Sequence, residues 1–330
     1  MQKSVYVCVV PYHLYLSLIL IECKSNRENS VVLLNANDSK IYEQFCSLKT
    51  RLEDYNFKVD VRLRDLKKDI LGIEEIENKK QYKTVCSMFG EDISGKFILY
   101  NFAWNCQYVY TTANIYYKKC EKAIFVEEGA LTAINPPQSS IKILVKKIQG
   151  GSVDFYKDEK LEGIYVQQPE IYSKEWERKL RKFDISDLLK ELNVESKKVV
   201  ADIFLGDLTE TLSKQLVDVG IIYTQPLSED GFISEEEKID YYTQMVQFYS
   251  KYGNPVLKLH PRDTSIYNLE DICTVLPAYF PSELLGLLNI RFKYAVGICT
   301  SAVPTTDAEY KLNINENFLT DSRFRLLPLE

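Results

Sequence analysis

Short apolar runs alternate with longer segments of mixed polarity along the first half of the chain. The runs are SVYVCVV, SVVLLN, FKVDVRL, KFILYNF and AIFVEE. Each is too short for a helix and nearly continuous in its hydrophobicity, which is typical of a strand covered on both faces. The segments between them are long enough for helices. This pattern predicts βαβ units built around a parallel sheet.

The pattern lapses once and then returns, which predicts two domains. Residues 138–163 gain glycine and charge and lose the alternation, so the first domain is expected to end at residue 163. The Lys/Glu-rich segment 164–198 is predicted to be a helical connector. Residues 199–330 then carry the runs KVVADIFLG, VGIIYTQP, PVLKLHP, DICTVLP and KYAVGIC. We therefore expect an α/β protein with two Rossmann-like parallel-sheet domains that face each other across a cleft.

The apolar start of the chain does not predict a secretion signal or a membrane anchor. Pro11, Tyr12 and His13 interrupt it, and a buried strand that turns into a helix fits the pattern better. Nowhere does an apolar stretch reach the roughly 18 residues that a membrane-spanning helix needs. A cytoplasmic location is expected.

Composition narrows the class of protein. The 330 residues are 45% hydrophobic and 27% charged, as in a soluble globular protein, and the net charge of −6 argues against a nucleic-acid partner. The eight cysteines form no C-x-x-C pair and are expected to be reduced. No G-x-G-x-x-G motif occurs. The segment GEDISGK is similar to a P-loop, but it is followed by Phe97 where a P-loop requires Ser or Thr. With two histidines and no D-x-D motif, neither a cofactor nor a metal is expected.

Polar clusters follow four of the predicted strands. They are EEG at 127–129, SEDG at 228–231, HPRD at 260–263 and CTSA at 299–302. Ligands of open α/β sheets bind at the carboxyl ends of the strands. Together these clusters are expected to line one cleft between the domains.

The HPRD cluster is cationic and suits a departing phosphate. Alternation along the strand places Lys258 and His260 on one face, Pro261 fixes the chain direction, and Arg262 adds a second positive charge. A structural histidine, a solvated lysine and an ion pair between Arg262 and Asp263 are the alternative interpretations.

Two carboxylates are candidates for a general base. Glu128 stands in an acidic pair after a predicted buried strand, and Asp230 stands in SEDG. SEDG could also be a simple turn before the next helix.

Other polar side chains could hold a nucleotide. The hydroxyls of Thr300 and Ser301 suit a phosphate or a helix N-cap. Glu283, near the start of a short helix, suits ribose hydroxyls or the helix dipole.

These motifs, in this order, resemble the bacterial sialyltransferases of the GT-B type, and glycosyltransferase family 52 in particular. The segments that carry the resemblance are VVPYHLYLSLIL, FVEEGALTAI, TQPLSEDGF, VLKLHPRD, FPSELLGLL and GICTSA. The resemblance implies a GT-B fold and metal-independent, inverting transfer of sialic acid from CMP-sialic acid to a sugar hydroxyl, with terminal galactose as the expected acceptor sugar.

Carried over to this sequence, the resemblance implies a role for each candidate residue. His260 would be the general acid or the phosphate partner of the departing CMP. Thr300 and Ser301 would hold its phosphate and Glu283 its ribose. The base is narrowly expected to be Asp230 rather than Glu128.

The resemblance also implies partners: CMP-sialic acid and a glycan of lipooligosaccharide or capsule that can be lipid-linked. Such acceptors are built at the inner membrane, where the basic segments IKILVKK and ERKLRK could touch anionic lipid, although a solvated face is the simpler interpretation. A homodimer is one option for the oligomeric state. Two other functions stay open: a transferase that uses a different sugar nucleotide, and a non-catalytic sugar- or nucleotide-binding protein.

Overall fold

The computed structural model describes residues 2–64, 73–102, 114–127, 157–209, 212, 216, 218–288, 290–300, 302–314, 326, 328 and 329. The chain divides into two compact units, Met1–Ser196 and Lys197–Glu330. Each unit contains a parallel sheet with helices, so the predicted α/β class with two sheets is confirmed.

The first unit is built on a sheet that has seven strands in the described residues. They are β1 (Lys3–Cys8), β2 (Ser30–Ala36), β3 (Lys58–Leu63), β4 (Phe97–Asn101), β5 (Lys122–Val126), β6 (Leu161–Val166) and β7 (Leu180–Lys182). Their order is β3-β2-β1-β4-β5-β6-β7, and every pair is parallel. The helices are α1 (Pro11–Cys23), α2 (Ser39–Asp54), α3 (Ile73–Phe89), α4 (Asn114–Lys119) and α5 (Ile185–Glu191).

The second unit has a five-stranded parallel sheet over the same described part of the chain. Its strands are β8 (Val219–Tyr223), β9 (Asn254–Lys258), β10 (Thr274–Leu276), β11 (Phe292–Ile298) and β12 (Ala308–Ile314), in the order β10-β9-β8-β11-β12. The helices are α6 (Val194–Leu205), α7 (Glu235–Tyr249), α8 (Leu284–Leu287) and α9 (Ala302–Thr305). Helix α7 packs Tyr242, Val246 and other apolar side chains on the sheet.

Burial explains why most strands could be predicted. Every residue of β2 and β8 is buried, as expected for central strands of a parallel sheet with both faces covered. Packing is close enough in the second unit that Gly220 lies under the ring of Tyr294, where a Cβ atom would meet the ring at 1.9 Å.

Two predictions of local structure were wrong. KVVADIFLG lies in α6 and not in a strand, because Val199, Val200, Ile203 and Phe204 recur at the spacing of one helix face and are all buried. SKEWERKLRKF is not an α-helix, since Lys174–Trp176 form a short 3₁₀ helix and Leu180–Lys182 form β7 against β6.

The segment 164–198 therefore differs from the expected connector. It contributes the end of β6, β7 and α5 to the first unit, whose boundary at residue 196 lies near the expected start of the second domain at 199. Strand pairing gives the basic segment Leu180–Lys182 its structure, and this cannot be predicted from its polarity. Strand β12 was also missed, because most of its side chains are exposed or half-buried.

Among the described residues, no helix is long and apolar enough to cross a membrane.

Candidate active site

The topology of the second sheet marks a place for a ligand. The chain passes from β8 outward through β9 to β10 and then returns to β11 on the other side of β8. The carboxyl ends of β8 and β11 therefore flank a switch point, where open parallel sheets bind their ligands. The predicted site residues of this unit lie at the end of β9 and in the segments that follow β8, β9, β10 and β11.

His260 lies just beyond β9, and its ring is neutral. Its backbone N–H donates to Thr224 Oγ1 over 2.9 Å, and its Nδ1 accepts the backbone N–H of Arg262 over 3.1 Å. Since Nδ1 accepts, the proton of the neutral ring is on Nε2. Burial, together with the charges of Arg262 and Lys258, lowers the pKa of His260 to about 4. The ring thus offers a ligand an Nε2–H donor. Pro261, which follows it, is exposed.

Lys258 is a desolvated cation at the end of β9. Its side chain is buried, Nζ donates to Leu259 O over 2.8 Å, and it lies 4.4 Å from the centre of the Phe280 ring. Burial lowers the pKa of Lys258 to about 7, against the opposing effect of Glu283. Desolvation also raises the pKa of Glu283, which accepts a 3.2 Å hydrogen bond from Ser282 Oγ. Lys258 and Glu283, which were predicted separately as nucleotide-binding residues, thus interact electrostatically.

Arg262 forms a two-pronged ion pair with Asp230. The guanidinium donates to Oδ1 over 2.6 Å and to Oδ2 over 2.9 Å. This pairing lowers the pKa of Asp230 and raises that of Arg262. The alternative partner considered for Arg262, Asp263, is bound elsewhere. The structure therefore brings the candidate base Asp230 beside the HPRD segment.

A buried ion pair network joins the loops after β8 and β9. Lys238, on α7, binds Glu229 over 2.7 Å and Asp263 over 2.9 Å. Glu229 also accepts the N–H and the hydroxyl of Thr264, over 2.8 and 3.0 Å. Burial works to raise the pKa of Glu229, but its bonds to Lys238 and Thr264 lower it to about 2. SEDG is thus a turn, and Glu229 serves to tie it to the neighbouring loop.

Thr300 lies in a turn anchored to the edge strand β12. Its N–H donates to Asn313 Oδ1 over 3.1 Å, and Asn313 Nδ2 donates back to Thr300 O over 2.9 Å. Its Oγ1 accepts the N–H of Ala302, two residues on, over 3.2 Å, as in a Ser/Thr turn. Gly297 lets the turn approach β11, since a Cβ there would lie 2.5 Å from Thr300 Cγ2. Ser301 lies outside the described residues.

The acidic pair of the first unit is described only in part. Glu127 follows β5 and is buried, where it accepts the N–H of Gln167 over 2.6 Å and the hydroxyl of Tyr172 over 2.9 Å. These bonds give Glu127 a structural role within the unit. The candidate base Glu128 lies outside the described residues.

Three contributors to the site were not foreseen. Thr224 binds the His260 backbone, Lys238 joins the two loops, and Asn313 holds the Thr300 turn. For Thr224 the sequence carried one weak signal, its position at the end of the apolar run VGIIYT. Nothing in the local sequence marks the other two, because each acts on a loop distant along the chain.

Comparisons with known proteins bear on the family and on the fold. Residues 156–306 match the model of glycosyltransferase family 52. An uncharacterized protein of Haemophilus influenzae is 26% identical over 189 residues, which are 57% of this chain and 60% of that protein. The alignment thus spans less than two thirds of that relative's length.

Two solved structures share the fold. The α/β-galactoside α-2,3-sialyltransferase of Photobacterium phosphoreum superposes with a TM-score of 0.61 at 15% identity, over 96% of this chain and 91% of that one. A sialyltransferase of Photobacterium damsela gives a TM-score of 0.55 at 12% identity, over 96% and 74% of the two chains. At these identities the likeness establishes fold. The match over residues 156–306 confirms the resemblance to glycosyltransferase family 52, on a chain that folds as two parallel-sheet α/β units of the GT-B type.

Proposed function

We propose that this chain is an inverting, metal-independent sialyltransferase that moves sialic acid from CMP-sialic acid to a sugar hydroxyl. The observation that carries the proposal is the desolvated end of β9, where the charge of the buried Lys258 acts on both the His260 ring and the Glu283 carboxyl. This strand end lies within residues 156–306, which match family 52. A cationic, partly dry pocket stabilises the charge that develops on a departing phosphate.

In the proposed reaction, the acceptor hydroxyl attacks the anomeric carbon of sialic acid as its bond to the CMP oxygen breaks. His260 donates a hydrogen bond through Nε2–H to the phosphate, and Thr300 with Ser301 holds the same group. CMP leaves with the electron pair of the broken bond, and the base takes the proton of the hydroxyl. Glu283 is proposed to bind the ribose.

The donor carries a second anion, the sialic acid carboxylate at the reacting carbon. Lys258 reduces the repulsion between that carboxylate and the phosphate, whereas the charge of Arg262 is paired with Asp230. The terminal galactose of a lipooligosaccharide or capsule glycan is the proposed acceptor, reached in the cytoplasm at the inner membrane. The basic segment at 177–182 belongs to the described residues, whereas IKILVKK lies outside them.

The base is proposed to be Asp230, with Glu128 as the rival. Asp230→Asn should lower kcat by about a hundredfold if the carboxylate removes the acceptor proton. Glu128→Gln, the matched control, should leave kcat within about threefold of wild type. The reverse pattern would assign the base to Glu128.

The function is tested with a panel of CMP-, UDP- and GDP-sugars and a galactose-terminated acceptor, with the free nucleotide and the glycan product measured together. CMP-sialic acid should give both products, and NMR of the glycan product should show that the anomeric configuration has been inverted. EDTA should change nothing. Turnover of a UDP- or GDP-sugar instead would identify a transferase with another donor, and binding without any turnover would identify a non-catalytic protein.

A further inference from the structure

Lys238 is a buried cation whose Nζ, among the described residues, binds side chains in the loops after β8 and β9. It stands near the start of α7 and its side chain is fully buried. Its Nζ binds both carboxylate oxygens of Glu229 over 2.8 and 2.7 Å, Asp263 Oδ1 over 2.9 Å and Ser228 Oγ over 3.1 Å. The side chain of Asp263 is as completely buried as that of Lys238.

Stability alone is a weak reason for such a network. Removing an ammonium and a carboxylate from water costs several kcal/mol for each ion, and apolar side chains of similar size often stabilise a fold equally well. The same helix uses apolar side chains such as Met245 and Val246 where it packs on the sheet. What the ionic network adds is a defined arrangement of the groups it binds.

Each carboxylate that Lys238 binds is coupled to a candidate catalytic group. Glu229 precedes Asp230 in the chain, and its hydrogen bonds to Thr264 join the loop after β8 to the loop after β9. The N–H of Asp263 donates to His260 O over 2.9 Å, which closes the turn that follows the histidine. A shift of Lys238 would therefore move both loops.

We propose that Lys238 is a positioning residue, which holds the loop of Asp230 and the loop of His260 in the arrangement that transfer requires. The inference rests on the proposed function, because it assigns these two side chains to the reaction. Lys238 itself does not touch the substrate.

The first test is kinetic. Lys238→Met keeps the length of the side chain and removes its charge. We expect kcat for sialyl transfer to fall by about tenfold or more, while the donor KM changes by less than about threefold. The reason is that the rate falls steeply when a catalytic group is displaced from its productive position. Val246→Ala is the matched control, since it removes a buried, uncharged side chain from the same helix. It should lower the melting temperature and leave kcat unchanged.

The second readout does not depend on activity. The chain has two histidines, so the ring nitrogens of isotope-labelled His260 can be observed directly by NMR and assigned with His260→Ala. Arg262, Lys258, Asp263 and Asp230 are the charges that act on this ring. In Lys238→Met the Nδ1 signal should move, because the turn that supplies the Arg262 N–H is no longer held.

If Lys238→Met does not fold, Glu229→Gln and Asp263→Asn added to it remove the unpaired carboxylates, and the same fall in kcat is expected of that triple variant. A folded variant with kcat within about threefold of wild type and an unmoved Nδ1 signal overturns the inference. If the wild-type chain transfers no sugar, the proposed function is refuted instead. The NMR result of Lys238→Met then shows whether Lys238 holds the loop of His260.

Discussion

At the scale of single residues, His260 is held as a neutral donor and not as a charged acid. Its Nδ1 is occupied by the Arg262 N–H, so the ring has one way to meet a phosphate, through Nε2–H. His260→Ala should therefore lower turnover by about a hundredfold, the usual scale for loss of one hydrogen-bond donor that stabilises a developing charge. Ile266→Ala is the control, since Ile266 is 73% exposed in the same loop. If both variants transfer sialic acid at rates close to wild type, His260 has a structural role.

The same histidine should make stability depend on pH. The pKa of His260 falls from 6.5 to about 4 on folding, so between these values the unfolded chain binds more protons than the folded one. The contribution of His260 to stability is fully present above pH 6.5 and is lost as the pH falls through 4. Urea unfolding of the wild type and of His260→Ala should show a difference in stability that changes across this window. A constant difference would contradict the burial of the ring.

The sequence predicted which residues stand at the strand ends, but not their partners. The cationic segment after β9 and the hydroxyl turn after β11 followed from the sequence order of apolar runs and polar clusters. The partner of Arg262 did not, because Asp230 lies 32 positions away and the pair exists only once two loops have met. Lys238 was unpredictable for the same reason. A lysine in an acidic helical segment is normally solvated.

At the scale of secondary-structure elements, apolar runs identified most of the central strands and the edge strands β3 and β10, but missed the interior strand β6 and the edge strands β7 and β12. The strands β1, β2, β8 and β11 are almost wholly buried, so their apolar sequences indicated that they lie inside the sheets. The edge strand β12 and the short strand β7 have exposed or half-buried side chains, and their pairing partners decide their structure.

The turn after β11 gives a prediction at this scale. Gly297→Ala would place a Cβ 2.5 Å from Thr300 Cγ2 and 3.1 Å from Val303 Cγ2. The substitution should cost about 1–3 kcal/mol of stability and weaken CMP binding, because the turn must move off the strand. Thr300→Ser keeps the hydroxyl and removes Cγ2, so the double variant should recover part of both losses. Urea unfolding and CMP titration measure them. Equal binding by all four proteins would show that the turn does not hold the phosphate.

At the scale of the whole molecule, the alternation of strands and helices was sufficient to predict two α/β units, but not where the first one ends. The boundary at residue 196 depends on β6 and β7 joining the first sheet. A three-residue strand with a single apolar side chain, Leu180, carries too little hydrophobic signal to indicate this in advance.

Nucleotide binding should stabilise the whole chain. A ligand that binds the folded state at a hundred times its Kd adds about 2.7 kcal/mol to the free energy of unfolding, so CMP should raise the melting temperature measurably. UMP and NAD, at the same concentration, should not. A shift of equal size with UMP or UDP would rule out recognition of cytidine.

The two hydrogen bonds between Asn313 and the backbone of Thr300 determine which amino-acid substitutions strand β12 tolerates. Most of β12 is exposed or half-buried, so its positions should accept many amino acids in a library selected for sialyl transfer. Asn313 both accepts from and donates to the backbone of Thr300, and few side chains can do both in one geometry. Position 313 should therefore admit almost nothing but asparagine, an invariant site within an otherwise permissive strand.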